Sequence, residues 1–474
     1  MAQFVKGNVG TTQITDHDLS DARTDLFKKV QYKDDYVEAK IVTFRALDRG
    51  GGEKGFDITT NNQEYLDLSE AFVTYHFRLK NPAGETCKYE EMSFVPDIGN
   101  GIWKRGIVRI GERELLGLQM NDVGYTEYFK AMINSSHNTY ANKLFPRLFL
   151  KDKPQFYTKE WKKYGLTYTR NAKKSFDMTG STITGFADGR SEDDKKLPFW
   201  IRHQMATDMD TFQVCTPLPS HLMGLSQVLP TNLHVEFVFQ PQKKAFYFLS
   251  KDENLKADDY EIEIVDMFLT VNILTCSPDI VARHNRRFLT HRTTIQFQAI
   301  DVVVGTANQG VSTFRFQPWS GQCPQQVLIA CVDQAAFNGD LKECPYNFEN
   351  LDAECTYLQI GQKTIPHTLI ETNFKKRLIH QQYMFNLINL SQFTGDHASL
   401  LDLDAYLSES TINAYYVTPN GKGTFDLFRN MQGNLEVVYK LRTALTKPKR
   451  IICMGIFNRM LRIDKNRNAE AFDL

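Results

Sequence analysis

Four short stretches of the chain carry residue types that could do chemistry. Gly99-Asn100-Gly101, followed by Lys104, offers glycines and a cation, the ingredients of a loop that wraps a phosphate with backbone N–H groups. It lacks the third glycine of a GxGxxG fingerprint, and no helix pattern opens behind it, so it reads as a turn. Gly421-Lys422-Gly423-Thr424 resembles the end of a Walker A loop. Tyr416 stands where the first glycine is needed, and Gly423 stands where Ser or Thr should follow the lysine, which again leaves a turn. Asp402, Asp404 and Glu409 have the carboxylates of a calcium loop but not its glycine or its further oxygen ligands, and a solvated loop is expected. Arg283, His284, Arg286, Arg287, His291 and Arg292 form a local basic patch that could face nucleic acid. The expected state is a solvated helix end beside a partner's acidic surface. GxSxG, HExxH and EF-hand patterns are absent. No catalytic, cofactor-binding or metal-ligating residue is assigned, and an enzyme is not expected.

The elements that would position any such residues are strands. From Ala71 to Lys80, Ala71, Val73, Tyr75, Phe77 and Leu79 alternate with Phe72, Thr74, His76, Arg78 and Lys80. Near the other end, Leu435, Val437, Tyr439 and Leu441 alternate with Glu436, Val438, Lys440 and Arg442. Successive strand side chains point to opposite faces, so each segment presents one apolar face. The 33 Phe and 20 Tyr suit pleated surfaces. Strands are expected at about 38–46, 64–80, 105–110, 113–118, 210–217, 233–240, 245–250 and 260–275, and then at 294–304, 312–317, 325–333, 353–360, 364–370, 412–418, 434–443 and 450–458. Gly111-Glu112 and the IGQKTI stretch at Ile360–Ile365 read as hairpin turns. Gly50–Gly52 reads as a flexible loop, 170–197 as a long exposed loop, and 371–411 as an excursion between strands.

Two helices interrupt the pattern. One is expected over about 123–144, where Tyr125, Phe129, Met132, Ser136 and Tyr140 recur at helical spacing. The other follows Ser277, a good N-cap, with Pro278 at the first helical position and Asp279 at the positive end; Ile280, His284 and Phe288 share one of its faces. That helix divides the chain. The expected organisation is a polar arm at 1–37, a first sandwich at 38–276, a linker helix at 277–293, and a second sandwich with a C-terminal tail at 294–474. No 20–50-residue motif recurs and strands do not alternate regularly with helices, so solenoids, propellers and doubly wound sheets are disfavoured.

At 474 residues the chain exceeds one ordinary core, and two domains are the natural expectation. Lys+Arg and Asp+Glu are both 56, which argues against nucleic acid wrapped over the whole surface and permits self-association. There is no apolar run of transmembrane length and no secretory h-region at the N-terminus. The eight cysteines are scattered without a CxxC, and several fall in apolar strands, so they read as buried thiols of a reducing compartment.

Seven landmarks then stand in order. They are EYLDLSEAFVTYHFRL (64–79), the 105–144 hairpin and helix, PLPSHLMGLSQVLPTNLHVEFVF (217–239), DYEIEIVDMFLTVNIL (259–274), CVDQAAFNGDLKECPYNFEN (331–350), YYVTPN (415–420) and RMLRIDKNRN (459–468). This series, over about residues 40–470, resembles the capsid proteins of Maverick/Polinton elements and adintoviruses. The chain departs from the family at Cys344-Pro345-Tyr346, where Asn-Pro-Phe is usual, and at Tyr416-Val417, where a Phe-Asp-Leu type stretch is usual. The resemblance implies an all-β fold of two tandem antiparallel eight-stranded jelly rolls with a few short helices and long loops. It implies a structural major capsid protein whose homotrimers form pseudo-hexagonal blocks of an icosahedral shell. Its partners would be its own copies, penton and minor capsid proteins, and, weakly at the inner face, genome DNA. It would reside in the virion, after synthesis in the host cytoplasm and assembly there or in the nucleus. No cofactor and no membrane span are implied. Two other readings stay open. A minor capsid or receptor- and glycan-binding sandwich would use Tyr and Trp103, Trp161, Trp200 and Trp319 as stacking surfaces. An enzyme such as a glycosidase would need two convergent carboxylates that spacing does not locate.

Overall fold

A computed structural model describes residues 36–80, 92–111, 113–135, 143–151, 176–177, 182–183, 198–207, 210–225, 227–250, 256–394, 399–401, 403–418 and 430–473. The 1–35 arm, most of the 170–197 loop and Gly421–Thr424 lie outside the described residues. N-terminal to the Pro278–Thr290 helix the strands are β1 (Tyr36–Arg45), β2 (Leu47–Gly50), β3 (Glu53–Thr59), β4 (Glu64–Lys80), β5 (Met92–Phe94), β6 (Trp103–Ile110), β7 (Arg113–Glu114), β8 (Met120–Asn121), the short pair β9 (Phe176–Asp177) and β10 (Thr182–Ile183), β11 (Phe212–Pro217), β12 (His234–Pro241), β13 (Phe248–Ser250) and β14 (Glu261–Cys276). C-terminal to it are β15 (Thr293–Ala307), β16 (Thr313–Trp319), β17 (Gln326–Asp333), β18 (Ala353–Ile360), β19 (Lys363–Ile365), β20 (Asn413–Tyr416), β21 (Leu435–Leu441), β22 (Lys449–Ile463) and β23 (Ala469–Asp473).

The same strand order occurs twice. In the first half one sheet runs β1-β14-β4-β11 and the facing sheet runs β3-β12-β6-β7. In the second half the sheets run β15-β22-β17-β20 and β16-β21-β18-β19. With the eight principal strands of each half counted in chain order, both halves read 1-8-3-6 over 2-7-4-5. That order is an eight-stranded jelly roll made of two Greek keys. All these ladders are antiparallel, and among the described residues none joins a strand before the Pro278–Thr290 helix to a strand after it.

The alternating residues do what their pattern predicts. In β4, Ala71, Val73, Tyr75, Phe77 and Leu79 are buried, and their neighbours are exposed or half-buried. Two register shifts against β14, at Ile264/Asp266 and Thr270/Asn272, let this 17-residue strand bend around the core. In the second half alternation fails for a physical reason. β17 is buried at all eight positions, and β22 is buried without a break from Ile451 to Asn458. These strands have the facing sheet on one side and helices on the other, so both faces are apolar. Sheet-to-sheet approach is closest at glycines. A Cβ on Gly305 would stand 2.7 Å from the Phe316 ring, and one on Gly455 2.6 Å from Trp319.

Several expectations are corrected. Gly50–Gly52 is not a flexible loop but the turn of a β2–β3 hairpin, with φ of 91°, 60° and 83°, values glycine adopts freely. The helix expected over 123–144 ends at Asn134, where Ser135 turns extended. The 113–118 strand is two residues long and gives way to a 3-10 turn at Leu116–Leu118. Residues 245–250 are a helical turn, Lys244–Tyr247, followed by β13. The 364–370 strand reduces to β19, which forms the expected hairpin with β18. The 371–411 excursion contains helices at His380–Thr394 and Leu403–Ser408. The C-terminal tail adds β23 alongside Arg459–Ile463 of β22, beyond the end of the β17 pairing. Ser277 precedes its helix as expected, yet its side chain makes no capping hydrogen bond.

Candidate functional site

The sequence motifs do not converge. Gly99 to Gly101 belong to a buried helical turn, Ile98–Gly101, and a Cβ on Gly99 would meet Thr216 Cγ2 at 2.6 Å. No phosphate fits there, and Lys104 pairs with Asp122 instead. Asp402 lies outside the described residues, while Asp404 begins the Leu403–Ser408 helix. Glu409 is buried, 3.5 Å from Lys151 Nζ, and accepts a hydrogen bond from Ser408. Among the described residues, no group of three His, Cys, Asp or Glu side chains is placed to hold a metal. Trp103 is buried and donates to the Tyr75 hydroxyl at 3.0 Å, and Trp319 is buried and donates to Asp301 at 3.0 Å. Neither offers a face to a sugar. Trp161 lies outside the described residues.

The structure brings together residues that the sequence keeps apart. The Val123–Asn134 helix is buried on nearly every side. Its Tyr125, Tyr128 and Phe129 meet Phe337, Tyr346 and Phe348 from the second half. Tyr346 stacks on Tyr128 with centroids 4.3 Å apart and stands edge-on to Tyr125 at 5.5 Å and Phe246 at 5.9 Å. Burial holds the Tyr125 and Tyr346 phenols well above their usual pKa, so they stay neutral. Backbone bonds run across the same junction, from Ser250 N–H to Leu341 carbonyl at 2.8 Å and from Leu400 N–H to Met132 carbonyl at 2.9 Å. The two sandwiches therefore share one continuous hydrophobic core.

A buried ion group supports the junction from the first half. Arg147 grips Asp97 with both arms, Nε to Oδ1 at 3.1 Å and Nη2 to Oδ2 at 2.5 Å, and Glu127 lies 4.0 Å from the same guanidinium. Burial disfavours the Arg147 charge, and the Asp97 carboxylate outweighs it, so the guanidinium pKa is raised. Asp97 sits at φ 61° and accepts from the N–H groups of Asn100 and Gly101, which fixes the turn. With no exposed member, this group positions backbone and does not meet solvent.

The sheet edges differ. β20 is an edge strand, and the His380–Thr394 helix covers it with amide side chains. Asn386 Oδ1 accepts from Ala414 N–H at 3.2 Å, and Asn389 Nδ2 donates to the Ala414 carbonyl at 3.0 Å, in the manner of a further strand. The same helix leaves Met384 and Ile388, one turn apart, exposed, and Leu378, just ahead of it in the chain, is exposed too. β1 is a ten-residue edge with no strand beyond it among the described residues, and Tyr36, Val37 and Ile41 are exposed. Free edges and apolar stripes are the features through which chains associate. The basic patch is real and exposed: Arg283, Arg286, Arg287 and Arg292 all face solvent around the Pro278–Thr290 helix. No described helix is long and apolar enough to cross a membrane.

No protein-family model and no curated protein matches this chain. Solved structures do. A chain of the Sputnik virophage, from its 3.5 Å cryo-EM structure, superposes with a TM-score of 0.59 at 12% identity, over 99% of this chain and 94% of that one. VP54 of PBCV-1, in the crystal structure fitted into a Sputnik reconstruction, superposes with a TM-score of 0.51 at 10% identity, over 94% of this chain and 99% of that one. The quasi-atomic PBCV-1 capsid gives the same values. The fold of this chain is therefore the double jelly roll.

Proposed function

We propose that the protein is a structural major capsid protein, and that its function lies in the surfaces it shows to its own copies. One observation carries this reading: two jelly rolls of identical strand order, welded through a shared core, match a virophage chain over nearly the full length of both. The natural division is an arm at 1–37, jelly rolls at 38–276 and 294–474, and a linker helix between them. Three copies would place six jelly rolls around a threefold axis, giving a pseudo-hexagonal block that tiles an icosahedral shell. Threefold symmetry requires two different patches of one copy to meet those of its neighbours. The β1 edge, which has no strand beyond it among the described residues, and the exposed Met384 and Ile388 of the His380–Thr394 helix are apolar surfaces that could serve. The ordered landmarks support reading the chain as one of the Maverick/Polinton and adintovirus type, a non-enzymatic virion component that would have pentons and minor shell proteins as neighbours.

Light scattering on purified protein tests the assembly. A trimer is expected, and electron micrographs should show blocks of hexagonal outline. A strictly monomeric species at high concentration would remove the reading.

A further inference from the structure

The linker helix does more than join two sandwiches. Much of its apolar side is occupied: Val281 is buried, Ile280 packs with Tyr65 and Cys276, and Phe288 lies under the Arg467 guanidinium at 4.2 Å, while Leu289 is left exposed. Its outward side is basic. Arg283, Arg286 and Arg287 are exposed, Arg292 follows just beyond the helix, and among the described residues none of the four makes an ion pair with a carboxylate. The nearby acids lie mainly at the Arg292 end. Asp279 lies one turn ahead of Arg283; Asp464, held by the Asn466 and Asn468 N–H groups, lines a neighbouring hollow with Arg292, Glu114 and Glu470, where Arg113 and Arg462 add positive charge.

Beside this face is a cleft of about 740 Å³. Arg287, His284, His291 and Arg292 line one part of it, and Tyr36 and Tyr65 line another. His284 is fixed there by a 2.7 Å contact between Nδ1 and the Tyr65 hydroxyl. Tyr36 is 55% exposed at the rim. Cations beside an accessible aromatic ring, in a concave site, form the combination that binds a nucleic-acid strand, with arginines on phosphates and a ring beneath a base. A membrane surface fits less well, because an interfacial helix must insert a broad apolar face, and of this helix's large apolar residues Leu289 alone is left well exposed.

We infer that the Arg283–Arg292 face and its cleft form a binding site for the phosphodiester backbone of a nucleic-acid strand, in a chain whose overall charge is zero. The site stands on its own geometry and does not depend on shell assembly.

The test is fluorescence anisotropy with the full chain and a labelled thirty-nucleotide single strand, titrated at low and at physiological salt. The triple variant Arg283→Gln, Arg286→Gln, Arg287→Gln keeps the side-chain stems and should weaken binding at least about tenfold. It should also lower the slope of log affinity against log salt by about 2, at roughly 0.7 for each single-strand phosphate contact. Arg292→Gln alone, outside the helix, should lower the slope by about 0.7. A charge-matched control, Lys363→Ala, Lys375→Ala, Lys376→Ala, should bind as the parent does. The proposal is overturned if the parent fails to bind at low salt, if the arginine variants bind unchanged, or if the lysine control loses as much. Binding to phosphatidylserine vesicles without binding to DNA would overturn it equally.

Discussion

If the junction makes one block of two sandwiches, then removing Tyr346 should loosen both. The ring is 2% exposed, and its stacking and edge-on partners Tyr128, Tyr125 and Phe246 all come from the first half. Burying about 200 Å² of aromatic surface at about 25 cal/mol per Å² is worth about 5 kcal/mol. Measured losses for aromatic-to-alanine changes in cores run at about 3–5 kcal/mol. About 4 kcal/mol is therefore expected for Tyr346→Ala. An unfolding entropy of about 2.1 cal/mol/K per residue gives about 1 kcal/mol/K for the 474-residue chain, so the midpoint should fall by about 4 °C. Scanning calorimetry provides the measure, and it adds a second readout. With the shared core opened, the parent's single transition should broaden or split as the halves melt separately. Tyr346→Phe keeps the ring and should stay within about 1 °C of the parent. The packing there is tight, since a Cβ on Gly124 would stand 2.5 Å from the Tyr346 hydroxyl. A midpoint drop under about 1 °C for Tyr346→Ala, with an unchanged trace, would refute the junction as the coupling element.

Three further outcomes follow from the geometry. Gly339 has φ 102°, and a Cβ there would stand 2.6 Å from Ala245 Cβ and 2.8 Å from its backbone carbon, so Gly339→Ala should cost about 2–4 kcal/mol in denaturant melts. Lys449 Nζ holds Asp333 at 3.0 Å and Glu349 at 2.7 Å, and Lys449→Met should cost about 3 kcal/mol near neutral pH by leaving buried Asp333 with only the exposed Lys447 at 4.0 Å and the Ala335 N–H. Burial alone would raise the Asp333 carboxyl, but the Ala335 N–H and the Lys449 ammonium hold it below the usual range. Its stabilising contribution is then complete above the unfolded carboxylate pKa and lost as pH falls through the lower folded value, so stability should fall less steeply with acid in the variant than in the parent. The described cysteines are all free thiols, and burial pushes Cys331 up to about 12 and Cys323 to about 11. Mass-spectrometric mapping after brief alkylation of the native protein at pH 8 should show half-buried Cys215 modified and Cys323, Cys331 and Cys453 protected; labelling of Cys331 at the rate of Cys215 would contradict the buried setting.

What the sequence made legible follows from which faces meet water. β4, β14 and β21 keep one wetter face, and their alternation locates them closely. β22 is buried on both faces, so its pattern loses the period and its full length from Lys449 to Ile463 is not apparent. β2 and β3 were hidden by Gly50–Gly52, because three glycines signal freedom in a sequence while in the fold they supply a left-handed turn. The His380–Thr394 helix is rich in amides, and its apolar residues are spread around it, with Met384 and Ile388 exposed and Leu390 buried. Its buried Asn386 and Asn389 make sense only against the β20 edge. The junction rings come from segments more than 200 residues apart, around Tyr125 and Tyr346, and no local period announces such a meeting. The basic patch is legible because it is local: one helix and its next turn hold all of it.

The two halves repeat a strand order but not an edge treatment, and that difference bears on assembly. An open edge invites pairing, and folded proteins usually cover, charge or shorten theirs. The second jelly roll covers β20 with Asn386 and Asn389 and extends β22 with β23. Its other edge, β15, lies against the first half near the His221–Gly224 turn. Among the described residues the first jelly roll has no strand beyond β1, and Tyr36, Val37 and Ile41 are exposed there. A chain that only needed solubility would gain from covering both. One open edge gives a single surface for strand pairing, which a different patch of another copy could meet in a ring if the rotation closes, whereas open edges on both sides would let pairing run on from copy to copy.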